Sequence, residues 1–304
     1  MLLSTSRAVY RWDENIGAAD HIYADDTLTA IAQGEDAQIA SNENEIFDLA
    51  TGETLAKSNA GPIECLIILD SAVRSFFAGT EGPHIFRYDS EGSEQIESFE
   101  KLDARKDWYT PWGGPASVRS FAQSSGGVVY ADIHVGSIAR SEDGGRNWEM
   151  VTPDLHEDVH QVATCPAAGD TVFANTADAV YTSEDRGRSW NHRSTGLPER
   201  YGRAIAVHPE EPDCLLATVS RGPGSDVGGT LHRSTDGGRS WTHVTDGFPK
   251  ATPGNIDTFQ IAFDHDGRGW AVVDTELYLS EDRGETWMVI WSAPEPIARI
   301  ACGL

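Results

Sequence analysis

Short apolar runs alternate with polar and glycine-rich turns along most of the chain. Residues 118–152, for example, contain four β-rich runs, VRSFAQ, VVYADI, SIARS and WEMVT, separated by SSGG, HVG and EDGGRN. None of these runs has the 3.6-residue period of a helix, and short runs bounded by turn residues predict strands. We name the four strands A to D in chain order. The pattern predicts a four-stranded antiparallel unit.

The same unit recurs along the chain. The octet SEDGGRNW at 141–148 joins strand C to strand D, and close copies occupy 183–190, 234–241 and 280–287. The octets therefore start 42, 51 and 46 residues apart. A repeat of this length is typical of propellers and solenoids. Before residue 110 the octet is absent, but degenerate units at 25–60 and 61–103 keep the same order of runs, and QIESF at 95–99 is the predicted strand D of the second of these units.

Strand A has its own pattern, a large apolar residue that is usually followed by Ala. The pairs are Ile31–Ala32, Leu66–Ile67, Phe121–Ala122, Val162–Ala163, Ile205–Ala206, Ile261–Ala262 and Ile300–Ala301. The N-terminal unit lacks a strand A, whereas the C-terminus supplies one after the last full unit. A ring closed by this strand removes the open edges that an open solenoid or two sandwiches would leave.

We therefore predict an all-β fold, a seven-bladed β-propeller of four-stranded antiparallel blades in which the C-terminal strand closes the first blade. Six or eight blades are the alternatives, because the N-terminal units are weak. The single domain spans 1–304. The predicted blades are 1–24 with 297–304, 25–60, 61–103, 116–153, 157–196, 201–247 and 256–293.

Each residue type in the octet has a structural task. Gly adopts the positive φ of a tight hairpin, Asp accepts backbone N–H groups, Ser adds a hydroxyl bond, and Trp buries its ring between blades. These residues are Ser141, Asp143, Gly145, Trp148, Ser183, Asp185, Gly187, Trp190, Ser234, Asp236, Gly238, Trp241, Ser280, Asp282, Gly284 and Trp287. A calcium loop of the EF-hand type is disfavoured because the distal Glu and the flanking helices are missing.

The octet resembles the Asp-box, or bacterial neuraminidase repeat, a motif of β-propellers. The resemblance covers blades four to seven by sequence, and it covers the first 110 residues only by the order of their strand runs. The octet is similar to the repeat motif of the sialidase-like and photosystem assembly factor-like propellers. Because the acids repeat in every one of these blades, whereas an active site occurs once, no catalytic role is predicted for them.

The charge of the chain narrows the choice of partners. Asp and Glu total 48 against 23 Lys and Arg, which gives a net charge of −25. Such a surface excludes nucleic acid and anionic membranes as expected partners. Dispersed acids with almost no Lys are typical of proteins from halophiles that keep salt in their cytoplasm. The start of the chain lacks the apolar stretch of a secretory signal, so we expect a cytoplasmic protein.

The resemblance implies where a ligand would bind. In such propellers the loops from strand D to the next strand A, and from B to C, share one face around the channel. Polar residues enter strand A there, two positions before the apolar residue, and aromatic or basic residues occupy the loops. The candidate binding residues are Glu64, Trp112, Arg119, His134, His160, Arg203, Arg221 and Arg299.

Three functional classes remain open. The favoured one is a non-catalytic, monomeric scaffold that binds a protein or a small ligand on this face. The resemblance to sialidases offers a glycosidase as the alternative, with an arginine trio and with Glu64 and Asp257 as the acids to check, although no R-I-P motif is found. A metal-assisted lyase or hydrolase using His84, His134, His156 and His160 is the third. No catalytic residue, metal ligand or cofactor is predicted, and the scattered cysteines, Cys65, Cys165, Cys214 and Cys302, are expected to be buried free thiols.

The halophilic interpretation is testable with the purified protein. We expect the melting temperature to rise strongly as KCl is increased into the molar range, because ions screen the repulsion among the surface acids. Thermal unfolding monitored by circular dichroism over a KCl series measures this effect. A melting temperature that does not respond to salt would contradict the interpretation.

Overall fold

The computed structural model describes residues 1–72, 74–151 and 154–303 and forms a seven-bladed β-propeller. Each blade is a four-stranded antiparallel sheet, and the innermost strands surround a central channel. The predicted fold class is therefore confirmed. The predicted blade limits at 153 and 304 lie outside the described residues.

The strands follow the A-to-D order in every blade. Blade one contains β1 (Leu2–Ser4), β2 (Ala8–Asp13) and β3 (Ala18–Ala24). Blade two contains β4 (Leu28–Gln33), β5 (Gln38–Asn42), β6 (Glu45–Asp48) and β7 (Thr54–Lys57). Blade three contains β8 (Ile63–Asp70), β9 (Ser75–Thr80), β10 (Ile85–Asp89) and β11 (Gly92–Gln95). Helix α1 (Glu97–Glu100) and a 3₁₀ helix (Asp103–Asp107) follow.

The remaining blades carry the octets. Blade four contains β12 (Val118–Gln123), β13 (Val129–Ile133), β14 (Ser137–Ser141) and β15 (Glu149–Met150). Blade five contains β16 (Val159–Cys165), β17 (Ala168–Thr176), β18 (Ala179–Ser183) and β19 (Asn191–Arg193). Blade six contains β20 (Tyr201–Val207), β21 (Leu215–Ser220), β22 (Thr230–Ser234) and β23 (Thr242–His243). Blade seven contains β24 (Ile261–Phe263), β25 (Gly269–Val273), β26 (Glu276–Ser280) and β27 (Met288–Ser292).

The last strand, β28 (Arg299–Ala301), belongs to blade one. It pairs antiparallel with β1, with Ile300 opposite Leu3, and it is the innermost strand of that sheet. The Ala298 N–H donates to the Ser4 carbonyl at 2.7 Å. Both ends of the chain thus form one sheet, as predicted from the missing strand A at the N-terminus.

The octet tryptophans pack against the preceding blade. Trp148 of blade four lies in one core cluster with Phe77 of blade three, at a ring-centroid distance of 6.2 Å. Trp287 of blade seven likewise joins Leu216 and Leu231 of blade six. In the same way, Trp190 packs against blade four and Trp241 packs against blade five. A large ring thus fills each of these interblade spaces and removes apolar surface from water.

Side-chain hydrogen bonds hold the octet turns, and the second octet, at 183–190, is an example. The Ser183 hydroxyl donates to Asp185 Oδ1 at 2.8 Å and accepts the Gly187 N–H at 2.7 Å. Asp185 Oδ1 also accepts the backbone N–H groups of residues 188 and 189. Burial raises the pKa of Asp185, but these hydrogen bonds outweigh it and lower the pKa to about 2. Gly187 has φ +81°, a conformation that favours glycine.

One predicted strand is wrong. The run QIESF at 95–99 was expected as strand D of blade three, but β11 ends at Gln95 and α1 begins at Glu97. The helix directs Phe99 into the core, where its ring meets Trp148 edge-on at 5.8 Å. Burial of this ring between blades three and four explains why the run leaves the strand conformation.

The propeller has two faces. The D-to-A and B-to-C loops share one, which we call the entry face, and the A-to-B loops share the other with the octets, which we call the octet face. The described cysteines are free thiols, of which Cys302 is half-buried and the other three are buried. None of the helices in the described ranges is long and apolar enough to cross a membrane.

Candidate functional site

A β-bulge interrupts the pairing of strand A with strand B in five blades. The register skips one or two residues where strand A begins, and the skipped positions include Thr29, Glu64, Arg119, His160 and Arg203. A bulge turns the side chain of the extra residue out of the regular alternation. The bulges therefore explain why polar residues interrupt the apolar pattern at this position of strand A.

A compact cluster surrounds the carboxylate of Asp158, and we call Arg119, His134, Asp158 and His160 the Asp158 cluster. Asp158 Oδ1 lies 3.3 Å from His160 Nε2 and 3.9 Å from both His134 Nε2 and Arg119 Nη1. Burial raises the pKa of Asp158, but the neighbouring imidazoles and guanidinium outweigh it and lower the pKa. Burial lowers the pKa of His134 to about 4, so this imidazole is neutral at pH 7.

A second ion pair adjoins this cluster. Arg203 donates to Asp257 Oδ1 from Nε at 2.8 Å, and its Nη2 lies 2.5 Å from the same oxygen. Arg203 also lies 3.4 Å from the Tyr201 hydroxyl, and the Tyr201 ring is 4.9 Å from the His160 ring. Blades five, six and seven thus meet in one continuous polar network on the entry face.

Arg119 has a side-chain donor that the network leaves without a hydrogen bond. Its side chain is 16% exposed, and its Nη1 is buried with no hydrogen-bond partner among the described residues. Burial, together with the nearby charge of Arg203, lowers its pKa. Next to it, Trp112 is 72% exposed and contacts the His134 ring at a centroid distance of 4.8 Å. An unpaired guanidinium donor and an exposed indole therefore share one part of the entry face.

Asp132 is a buried acid that the sequence analysis missed. It is 0% exposed, and it faces the bulge of blade four, where its Oδ1 accepts the Ser120 N–H at 2.7 Å. Its Oδ2 has no hydrogen-bond partner among the described residues. Burial raises the pKa of Asp132 to about 7, despite the opposing effect of Arg119. The available signal was an Asp within the apolar run VVYADI of strand B.

Some other predicted residues lie elsewhere. Arg299 lies over the Phe259 ring at 5.1 Å, and its charge partly offsets the burial that raises the pKa of Glu64. Arg221 bonds within its own loop, donating to the Asp226 carbonyl at 2.5 Å, and joins neither ion pair.

The four histidines considered for a metal site do not converge on one point, although His134 and His160 both belong to the Asp158 cluster. His84 hydrogen-bonds Glu100 at 2.8 Å, and His156 accepts the Asp158 N–H at 3.1 Å. In the part of the chain that the structure describes, no group of three or more His, Cys, Asp or Glu residues is arranged to hold a metal ion.

Residues 257–260 cross the channel, and we call them the crossing segment. They precede strand A of blade seven, yet the Thr258 hydroxyl donates to the His160 carbonyl of blade five at 3.0 Å. The Phe259 ring packs against the core cluster that blades three and four share. Phe259 has φ +64°, which is rare for a bulky residue and is consistent with strain stored at a functional site.

A cavity of about 530 Å³ lies on the other side of the crossing segment. The apolar residues of all seven A strands contribute to its walls, together with polar residues such as Gln123, and Phe259 forms part of its lining. Residues of the A-to-B loops, such as Asp36 and Ser71, surround its opening, so it faces the octet side. None of the Asp158 cluster contributes to its lining. Ligand sites were expected on the entry face only, and no sequence pattern indicated this cavity.

Comparisons with known proteins agree with the fold. A family model described as sortilin, neurotensin receptor 3, matches residues 136–255, a range that contains three of the octets. The match confirms the resemblance to Asp-box propellers but covers less than half of the chain. A probable oligoxyloglucan-reducing end-specific xyloglucanase of Neosartorya fischeri is 27% identical over 192 residues. That alignment covers 55% of this chain and 22% of the relative, so the chain spans about a fifth of its length.

Solved structures resemble the whole ring. The GH74 xyloglucanase from Xanthomonas campestris is 17% identical with a TM-score of 0.60, over 86% of this chain and 45% of that one. YCF48 from Cyanidioschyzon merolae is 15% identical with a TM-score of 0.56, over 86% of this chain and 84% of that one. At these identities the likeness shows the shared propeller fold.

The buried Asp132 predicts a pH dependence of stability. Its folded pKa lies above the unfolded value of about 3.9, so the folded state retains a proton that the unfolded state has lost. The free energy of unfolding therefore falls as pH rises from about 4 to about 7. Asp132→Asn, which introduces the residue found at the equivalent position 175, removes this decline. We expect the variant to be more stable than the wild type at pH 8 by about 1 kcal/mol or more.

Urea unfolding at pH 5 and pH 8 measures this difference. Asp226→Asn, an exposed change on the same face, is the control for the lost charge and should leave the wild-type decline in place. An Asp132→Asn protein that loses stability between pH 5 and 8 as the wild type does would contradict the assignment.

Proposed function

We propose that this protein is a non-catalytic scaffold that binds an anionic group of a protein partner on the entry face, at Arg119. The observation that supports it most is the buried Arg119 Nη1, which has no hydrogen-bond partner among the described residues. A buried donor without a partner costs about 1–3 kcal/mol, and more when charged, so a carboxylate that reaches this nitrogen gains that free energy.

The electrostatics of the entry face favour the same ligand. The whole chain carries a net charge of −25, yet Arg119 and Arg203 belong to the network around the channel, and Arg299 lies over the Phe259 ring. Arg203 is already engaged by Asp257, whereas Arg119 is 3.9 Å from its nearest ion-pair partner. Arg119 thus has donor capacity that Arg203 lacks, and the acidic surroundings disfavour anions elsewhere on the surface.

Trp112 supplies an apolar contact next to this cation. An indole that is 72% exposed and rests on the His134 ring offers a flat surface to a side chain of the partner. Tryptophan and arginine are the residues that most often dominate binding energies at protein interfaces. We propose that the partner places an acidic residue at Arg119 and an apolar or aromatic residue on Trp112. We further propose that the scaffold acts as a monomer in the cytoplasm of a halophile.

A glycoside hydrolase acting on a carbohydrate is the second candidate, because the curated relative is described as a xyloglucanase. Three carboxylates of the entry face do not fit this reaction. Asp257 is held by Arg203, Asp158 is surrounded by basic groups that lower its pKa, and Asp132 is 0% exposed. A general acid needs a raised pKa together with access to the leaving group, and the half-buried Glu64, whose pKa is raised by burial, is the acid that combines them.

The test uses the wild type and two charge-matched variants, Arg119→Gln and Arg221→Gln. A partner captured by the immobilised wild type is purified, and its affinity for each protein is measured by calorimetry. We expect Arg119→Gln to weaken binding at least about tenfold, since charge-assisted hydrogen bonds contribute about 1.5–3 kcal/mol. Arg221→Gln removes the same charge from the same face and should bind like the wild type.

Circular dichroism of each variant confirms that the fold is retained. Equal binding by Arg119→Gln and the wild type would overturn the proposed site. If the wild type released reducing sugar from xyloglucan and Asp257→Asn did not, the hydrolase function would be supported in place of the scaffold function.

A further inference from the structure

We propose that the cavity on the octet face is a second binding site, which takes a small amphiphile with an apolar body and a cationic group. We call it the octet-face cavity. It is separate from the entry face, and the inference does not depend on the proposed scaffold function.

The walls of the octet-face cavity contain a ring of apolar side chains, and polar residues such as Gln123 and Thr164 line the cavity beside this ring. All seven A strands contribute the large apolar residue and the residue that follows it, which is Ala in six blades and Ile67 in blade three. The volume of about 530 Å³ lies within the range of small-molecule sites, about 300–1,000 Å³. Water in contact with the apolar ring forfeits hydrogen bonds, so an apolar chain of suitable length gains free energy by displacing it.

The crossing segment gives the cavity a closed end. Phe259 and Gln161 both line the cavity, and the Gln161 side-chain oxygen accepts the Phe259 N–H at 3.3 Å. The Phe259 carbonyl accepts the Ile300 N–H at 2.8 Å, which ties the segment to blade one as well. Contacts on opposite sides of the ring hold Phe259 across the channel. A ligand therefore enters from the octet face and ends against this ring.

The opening is acidic. Glu35 and Asp36 are among the residues that line the cavity at its mouth. Among the described lining residues there is no Lys, Arg or His to balance them. Gln33 also lines the cavity, and its Oε1 is buried with no hydrogen-bond partner in the described part of the chain. Carboxylates and an unused acceptor favour a cationic group at the mouth and disfavour an anionic one.

The test compares head groups of opposite charge on one chain length. Octyltrimethylammonium, octanoate and tetramethylammonium are titrated below their micelle concentrations, by calorimetry, at the lowest KCl that keeps the protein folded. We expect octyltrimethylammonium to bind with one-to-one stoichiometry and octanoate to bind at least about tenfold more weakly. Tetramethylammonium, which lacks the chain, should give no measurable heat. Equal binding of both octyl compounds, or no binding of either, would overturn the proposal.

Two variants separate the contributions of the walls and the mouth. Ala163→Phe places a ring in the cavity and should abolish binding of octyltrimethylammonium. Glu35→Gln combined with Asp36→Asn changes exposed residues and should keep octyl binding while removing most of the preference for the cation. Asp226→Asn, which removes an exposed carboxylate outside the cavity, is the control and should bind like the wild type. Unchanged binding by Ala163→Phe would place the amphiphile elsewhere and overturn the assignment.

Should Ala163→Phe fail to fold, the double variant at the mouth still decides the question. Its head-group selectivity is then compared with that of the wild type at the same KCl concentration. Undiminished preference for the cationic head would contradict the role of Glu35 and Asp36.

Discussion

The antiparallel pairing of β28 with β1 joins the two ends of the chain and holds the seven blades in a ring. Leu3 lies opposite Ile300 in this pairing, and the strand places Arg299 at the channel. The same strand fixes the crossing segment, because the Ile300 N–H donates to the Phe259 carbonyl. Without it, blade one would keep three strands and an open edge, and blade seven would lose its contacts with Ile300. Both the entry-face network and the octet-face cavity therefore depend on a few hydrogen bonds near the C-terminus.

Ring closure crowds the seven A strands, and the chain responds with bulges and with polar contacts between blades. The Ser120 hydroxyl accepts the Val162 N–H of the next blade at 3.0 Å, and Gln161 Oε1 accepts N–H groups from blades six and seven. Such contacts satisfy backbone donors that a bulge leaves without a strand partner. The bulges also concentrate Arg119, His160 and Arg203 around the channel, where burial makes each charge costly unless it is paired.

Much of the fold was predictable because the octet repeats and fixes the blade period. The four strong copies identified blades four to seven, and the strand A pairs identified the split first blade. The prediction for QIESF was wrong because the local sequence pattern does not show that Phe99 fills a space beside Trp148. The left-handed conformation of Phe259 was equally hidden, since only glycine and asparagine signal a positive φ in a sequence.

The candidate site was predictable in part. Arg119, His160 and Arg203 were predicted from their position at the start of strand A, and Trp112 and His134 from their loops. The structure brings these five residues together on the entry face. Arg221 shares the face but not the network, because its loop folds on itself. Asp158 was not singled out, since two of its three partners, Arg119 and His134, are more than twenty residues away in sequence. The cavity depends on the crossing segment, a long-range contact that periodicity cannot show.

Unfolding of a shortened chain that ends at residue 296 is the most direct test of ring closure. If β28 closes the ring, loss of the C-terminal strand abolishes the single cooperative unfolding transition in urea. A synthetic peptide of residues 297–304, added in trans, should restore that transition. A chain ending at 296 that unfolds in one transition at the same urea concentration as the full-length protein would contradict the account.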